Sequence, residues 1–307
     1  MNHTFSAERT SVSPSGFDVC VIGHITRDII RVGRTTKATH GGTAYYTSIA
    51  LKRLGLRVAV VTGVAKEDKI PLLRDLRAET IAIFCKKSEA TSVFENTYDG
   101  EDLDARIQRI ESIATPFLPE DVARISATAF HLGPLTRQDI PLQILKQLTA
   151  KARIVSLDVQ GMVRPARVGV VSEEDWPEKQ KGLACVDILK TDEKESLILS
   201  GQKVVDRAAE VLASLGPKEV IITMGSRGAL IYAEQTLHRV GCCPLRKTGY
   251  PTGSGDTYMA GYLYQRLKGT APERAGRFAA AVASLKMKHL GPFRGREEDV
   301  QAVLFCR

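Results

Sequence analysis

The sequence is short of the patterns that mark several large function classes. Its six cysteines (Cys20, Cys85, Cys185, Cys242, Cys243 and Cys306) include no Cys-x-x-Cys pair, so neither a zinc ribbon nor a dithiol redox motif is written here. Several of them sit in apolar runs, where a thiol behaves as a small core residue, and no structural disulfide is expected. The six histidines lack His-x-x-x-His spacing, which removes support for a protein-held zinc site. No apolar run approaches the roughly 20 residues of a membrane span; Val58–Val61 and Val220–Met224 are far shorter. Met1 to Gly16 is polar and rich in Ser and Thr, without the apolar stretch of a secretory leader, and reads as a flexible tail ahead of a domain over 17–307. A cytoplasmic location is expected. Basic blocks are missing too. Although the net charge is +8, Lys and Arg are spread along the chain and not interleaved with aromatics, so the charge favours phosphorylated small ligands over nucleic acid.

What is present is enough chain for a large core: 307 residues, 43% hydrophobic and 25% charged. Short β-branched runs at 17–23, 57–62, 127–132, 153–159, 185–190, 219–224 and 228–233 read as strands. Helical patterns fall at 44–54, 140–151, 204–215, 256–267 and 273–290. This alternation predicts an α/β fold with a mostly parallel central sheet and helices on both faces, its ligands bound beyond the carboxyl ends of the strands. Residues 90–116 break the pattern with a strand-like run, Thr91 to Tyr98, the turn Asp99-Gly100 and a charged segment. Such an excursion is either a surface hairpin or, with about 31–41, a small β lid able to exclude water from a site.

The most informative run is Thr252-Gly253-Ser254-Gly255-Asp256, between a Gly/Pro turn and an apolar helical stretch. Glycines let backbone turn tightly and approach a ligand, and the first amides of a helix favour an anion. The pattern is that of a phosphate seat with a carboxylate beside it. Taken alone, it reads rather as a glycine turn capped by Asp256.

Pro251 to Asp256 followed by Ala260-Gly261 resembles the carboxy-terminal signature of the ribokinase-like carbohydrate kinases. Val21 to Asp28 resembles that family's first strand with its closing aspartate, and Gly41-Gly42 before a helix ending Arg53-Leu54-Gly55 resembles its di-glycine element. Lys190-Thr191-Asp192-Glu193-Lys194-Glu195 and Thr223-Met224-Gly225-Ser226-Arg227-Gly228 are similar to its metal-side and nucleotide-side elements. Within the family, residues 42–46, 94–100 and 158–161 are most similar to the myo-inositol kinase type.

The resemblance implies a three-layer sandwich with a small β lid, and a phosphotransferase using ATP and Mg2+ on a small polyol. It implies Asp256 as general base, the amides of Gly253, Ser254 and Gly255 as anion hole, and Asp28, Gly41, Gly42 and Tyr46 at the acceptor. Lys190, Thr223, Gly225 and Gly228 would meet the nucleotide, with Asp192 and Glu195 holding the metal mainly through water. Lid strands in such enzymes often mediate pairing, so a homodimer is consistent with it. Three positions depart. Tyr250 stands where relatives have an aspartate that helps hold an activating monovalent cation, which puts potassium dependence in question. Tyr46 occupies the place of an acceptor-binding Asn, and Asp192 that of an Asn beside the metal. A nucleoside kinase of the same fold, or a non-catalytic ligand-binding relative, stays open at this point.

Overall fold

The computed structural model describes residues 16–33, 35–98, 106–243 and 250–305. The expected tail, apart from Gly16, and the turn residues Asp99, Gly100 and Gly249 lie outside them. In chain order the elements are β1 (Phe17–Ile22), β2 (Thr26–Val32), β3 (Thr35–Gly41), α1 (Thr43–Arg53), β4 (Val58–Val64), α2 (Lys69–Ala78), β5 (Ala82–Lys87), β6 (Val93–Tyr98) and β7 (Arg106–Ser112). There follow α3 (Pro119–Ala123), β8 (Ala127–Leu132), α4 (Leu142–Thr149), β9 (Ile154–Asp158), β10 (Gly169–Val170), α5 (Lys179–Leu183), β11 (Ile188–Asp192), α6 (Glu193–Ser200) and α7 (Val205–Ser214). The chain closes with β12 (Glu219–Thr223), β13 (Ala229–Ala233), β14 (Thr236–Val240), α8 (Ser254–Leu267), α9 (Pro272–Met287) and α10 (Glu297–Phe305).

Among the described residues nine strands form one sheet in the order β14-β13-β12-β11-β9-β8-β1-β4-β5. It is parallel from β12 to β5 and antiparallel at β12/β13 and β13/β14. Strand periodicity explains the two cores. On β1, Val19 and Val21 enter a cluster with Ile49, Met259, Tyr262 and Phe278 from α1, α8 and α9. Cys20 and Ile22 point the other way, into a cluster with Leu145, Leu148 and Leu212 from α4 and α7. A strand covered on both faces has no polar side to show, which is why it reads as an apolar run without alternation.

A second sheet, β10-β7-β6-β2-β3, is mostly antiparallel, with β2 and β6 running parallel. Here the structure corrects one expectation. Asp28 does not close the first strand; β1 stops at Ile22, and Asp28 lies within β2 of the second sheet, opposite Thr39 of β3. The departure occurs at a close crossing with a segment distant in sequence. At Gly23 the chain crosses the Gly133 carbonyl so closely that a Cβ would stand 2.7 Å from it, and from there it leaves the large sheet.

Candidate active site

The Gly-Ser-Gly-Asp run opens α8. Gly253 is its N-cap in the left-handed region, φ 78° and ψ 8°, a conformation that costs a residue with a Cβ about 1–2 kcal/mol. Space forbids a side chain as well, because a Cβ on Gly253 would lie 2.4 Å from the Tyr46 ring. The Ser254 amide donates to the Pro251 carbonyl at 2.9 Å, closing the turn, and the first bond of the helix ladder is Thr257 N–H to the Gly253 carbonyl at 3.0 Å. The amides of Gly255 and Asp256 therefore precede the ladder. They stand at the positive end of a 14-residue helix.

Asp256 is half-buried at this mouth and accepts a hydrogen bond from the Thr43 side chain at the start of α1. Burial and the nearby Asp158 carboxylate raise its pKa to about 6, against the opposing pull of that hydrogen bond, Lys190 and Lys286. A carboxylate poised there is ionised at neutral pH yet basic enough to hold a proton. Packing of α1 on α8 fixes the pair from behind: the Thr47 hydroxyl donates to the Asp256 main-chain carbonyl at 3.1 Å.

Lys190, on β11, stands on the same side, its ammonium 3.3 Å from where a Cβ of Gly255 would be. It pairs with Asp158 at the end of β9 at 2.9 Å, and both side chains are buried. Burial opposes its charge, but Asp158, Glu195 and Asp256 outweigh that and hold its pKa above the usual lysine range. On the neighbouring element Asp192 caps α6, accepting from the Glu195 amide at 2.8 Å, while Glu195 Oε2 accepts from the Asp192 amide at 2.8 Å. Both carboxylates thus hold a helix start. Glu195 is fully buried, its second oxygen Oε1 has no partner, and burial pushes its pKa up to about 7, Lys190 opposing and Asp192 and Asp158 reinforcing. Among the described residues no cage of three or more metal-ligating side chains is gathered. The donors at hand are carboxylate oxygens with one orphaned among them, which fits magnesium, an ion that keeps most of its water, and not zinc.

The glycine turn after β12 sits beside this group. Thr223 pairs with Asp192 in the sheet register, and its hydroxyl donates to the Thr191 carbonyl at 3.3 Å. Gly225 and Gly228 both have positive φ, and a Cβ on Gly228 would meet the Val240 carbonyl at 2.0 Å. Arg227 pairs with Glu193 across the turn.

On the other side, Thr26 donates to Asp28 Oδ1 at 2.6 Å, and a Cβ on Gly41 would fall 2.2 Å from Asp28 Oδ2. Gly42 has φ 88° and passes as close to the His24 carbonyl. Tyr46 links the two halves. Burial raises its pKa, and the Asp28 and Asp256 carboxylates add to the effect, so its ring lies within the field of both. Its hydroxyl donates to the His40 carbonyl at 3.3 Å, while the adjacent Tyr45 turns to Asp75 Oδ2 at 2.8 Å. Both tyrosines are buried.

The fold thus gathers Asp256, Gly253, Gly255, Lys190, Asp192 and Glu195 on one side and Asp28, Gly41 and Gly42 on the other, with Tyr46 between. Sequence reasoning gave Thr43 and Asp158 no individual role, although both lie in segments that carry the subgroup resemblance, and it did not single out Lys286. Thr43 was discoverable as the first helical residue after Gly42. Asp158, an acid at a strand end, was visible only as part of the 158–161 similarity, and Lys286, a lysine within a helix, carries no local signal.

Residues 17–298 match the model of the pfkB family carbohydrate kinases. The chain is 25% identical over 281 residues to a cytidine kinase of Thermococcus kodakarensis, covering 89% of this chain and 97% of that one. It is 24% identical over 301 residues to inositol 3-kinase of Arabidopsis thaliana, covering 93% and 79%. Among solved structures, a pyrophosphate-dependent kinase in the ribokinase family, complexed with a pyrophosphate analog and myo-inositol, is 30% identical with a TM-score of 0.83 over 92% of this chain and 99% of that one.

Proposed function

This chain belongs to the pfkB family of carbohydrate kinases, and on that premise we propose that it moves the terminal phosphoryl group of ATP to one hydroxyl of a small polyol, a sugar or a cyclitol of the myo-inositol kind. The observation that carries this reading is the Asp256 carboxylate in the first turn of α8, beside amides that precede the helix ladder and with the Lys190 ammonium against Gly255. The acceptor hydroxyl gives its proton to the Asp256 carboxylate as its oxygen bonds to the terminal phosphorus. The bond from that phosphorus to the bridging oxygen breaks, and ADP leaves with the electron pair. Since such transfers run through a loose transition state, most of the work is holding the groups in line and neutralising charge. The amides before the helix ladder and the Lys190 ammonium meet the transferred oxygens. Asp28 accepts from acceptor hydroxyls, Gly41 and Gly42 leave them room, and Tyr46 forms a wall. Thr223, Gly225 and Gly228 lie along the donor. Asp192 and Glu195 would hold a magnesium ion mainly through its waters, and the ion would supply positive charge against the donor phosphates. The small sheet acts as the lid.

A second reading changes the donor and keeps the site. The 30% identity to a pyrophosphate-dependent kinase favours it, since inorganic pyrophosphate needs only the anion seat and its cations. One matrix tests both: ATP and pyrophosphate, each against myo-inositol, ribose, fructose and cytidine, read as ADP or phosphate release. Release with a polyol is the expected result. Preferential turnover of cytidine would replace the acceptor class, and ligand-induced thermal stabilisation without any release would make the protein a binder.

A further inference from the structure

One charged group beside the site has no part in the chemistry above. Lys286, on α9, is only 1% exposed. Its ammonium donates to the Tyr250 carbonyl at 2.8 Å and to the Thr252 carbonyl, and stands 5.3 Å from the centre of the Tyr46 ring. Burial lowers its pKa to about 8, and the Asp256 carboxylate partly restores it. Two protons are thus placed on carbonyls and the charge lies near an aromatic face, an arrangement that satisfies an ammonium out of water. If packing were the only need, a methionine would fill the same space without desolvating a charge.

Everything the ammonium touches belongs to the seat. Tyr250 and Thr252 flank Pro251 directly before Gly253, and the Tyr46 ring lies against Gly253. The peptide joining Thr252 to Gly253 is trans, as all described ones are. In a trans peptide the carbonyl and the N–H point in opposite directions. Holding the Thr252 carbonyl on α9 therefore turns the Gly253 N–H the other way, away from Lys286.

We propose that Lys286 is a positioning residue for phosphoryl transfer, a tethered cation that fixes the 252–253 peptide with its amide toward the transferred group, so that turnover needs no free monovalent cation. The proposal rests on the function given above. It also accounts for Tyr250, which stands where the resemblance places a cation-holding aspartate: with an ammonium already on the loop carbonyls, an anionic side chain for a free ion has no task.

The test takes the full-length protein, its Lys286→Met and Lys286→Ala variants, and buffers whose only added cations are tetramethylammonium and magnesium. The wild type should turn over equally with and without potassium. Lys286→Met should lose roughly a hundredfold in kcat with acceptor KM within about threefold and no fall in Tm. Lys286→Ala should recover part of its kcat on addition of potassium or methylammonium, a rescue that a packing role would not give. Severalfold activation of the wild type by potassium, or an unchanged kcat in Lys286→Met, would overturn the proposal. A separate readout needs no turnover: sulfate binding, followed by thermal shift, should weaken about tenfold in both variants. If the wild type turned over nothing in the matrix, the proposed function would fall while unequal sulfate affinities still upheld the role of Lys286, and equal affinities would remove it.

Discussion

Lys190 of β11 donates at 2.9 Å to Asp158, the last residue of β9, and both side chains are buried. The pair does two things at once. It keeps a lysine charged in a buried place beside Gly255, and it puts a second carboxylate close enough to Asp256 to raise its pKa. The positive charge at the seat and the basicity of the base thus share one source.

Asp158→Asn separates these effects. It should shift the acid limb of kcat/KM to lower pH, because a carboxylate that raises the Asp256 pKa is gone, and it should destabilise the protein by about 3–5 kcal/mol by leaving a buried ammonium without its partner. An acid limb that stays in place in a pH series would contradict the assignment.

Asp256 itself sets the wild-type acid limb. The base works ionised, so kcat/KM should be level above its pKa of about 6 and fall tenfold per unit below it. Asp256→Asn should lower kcat by about 10²–10⁴-fold with donor binding intact. The folded pKa is raised, so ionisation weighs on the native state fully above about 6 and not at all below the unfolded value near 3.8. The same variant should therefore melt higher than wild type at pH 8, with the gain gone at pH 3.5 in a thermal melt.

Gly253→Ala tests the close approach. The new methyl group meets both a left-handed backbone and the Tyr46 ring. We expect a loss of about 1–2 kcal/mol from the backbone alone, and a drop in kcat larger than the change in acceptor KM. In a Tyr46→Ala background, where the ring is gone, Gly253→Ala should cost less stability than it does in the wild type, as a double-mutant cycle by chemical denaturation would report.

Glu195→Gln retains an oxygen to accept from the Asp192 amide, so the cap of α6 survives while the buried charge goes. Its Tm should hold or rise. The magnesium concentration giving half-maximal rate should increase about tenfold; no change in that titration would leave Glu195 as a cap alone.

The elements central to the large sheet were readable because strands buried on both faces are mostly apolar, as Val58–Val61 at the start of β4 is. The edge strands β5 and β14 were not. Ala82–Lys87 and Thr236–Val240 are half-exposed and carry Lys, Arg and His, which blurs their period. Asp28 was found as a residue but assigned to the wrong strand, because nothing in Gly23-His24-Ile25 announces that the chain must cross Gly133 there.

The same division runs through the site. By itself the sequence determined the alternation of strands and helices, the glycine turns and the carboxylate at the start of α8, since each depends on neighbours within a few residues. Only the tertiary structure decided what charges those groups feel. Lys286 reaches its carbonyls across 34 and 36 residues, and the basicity of Asp256 depends on Asp158, Lys190 and Lys286 from three other elements. Electrostatic energy varies with distance and burial in space, and neither quantity is a property of a local stretch of chain.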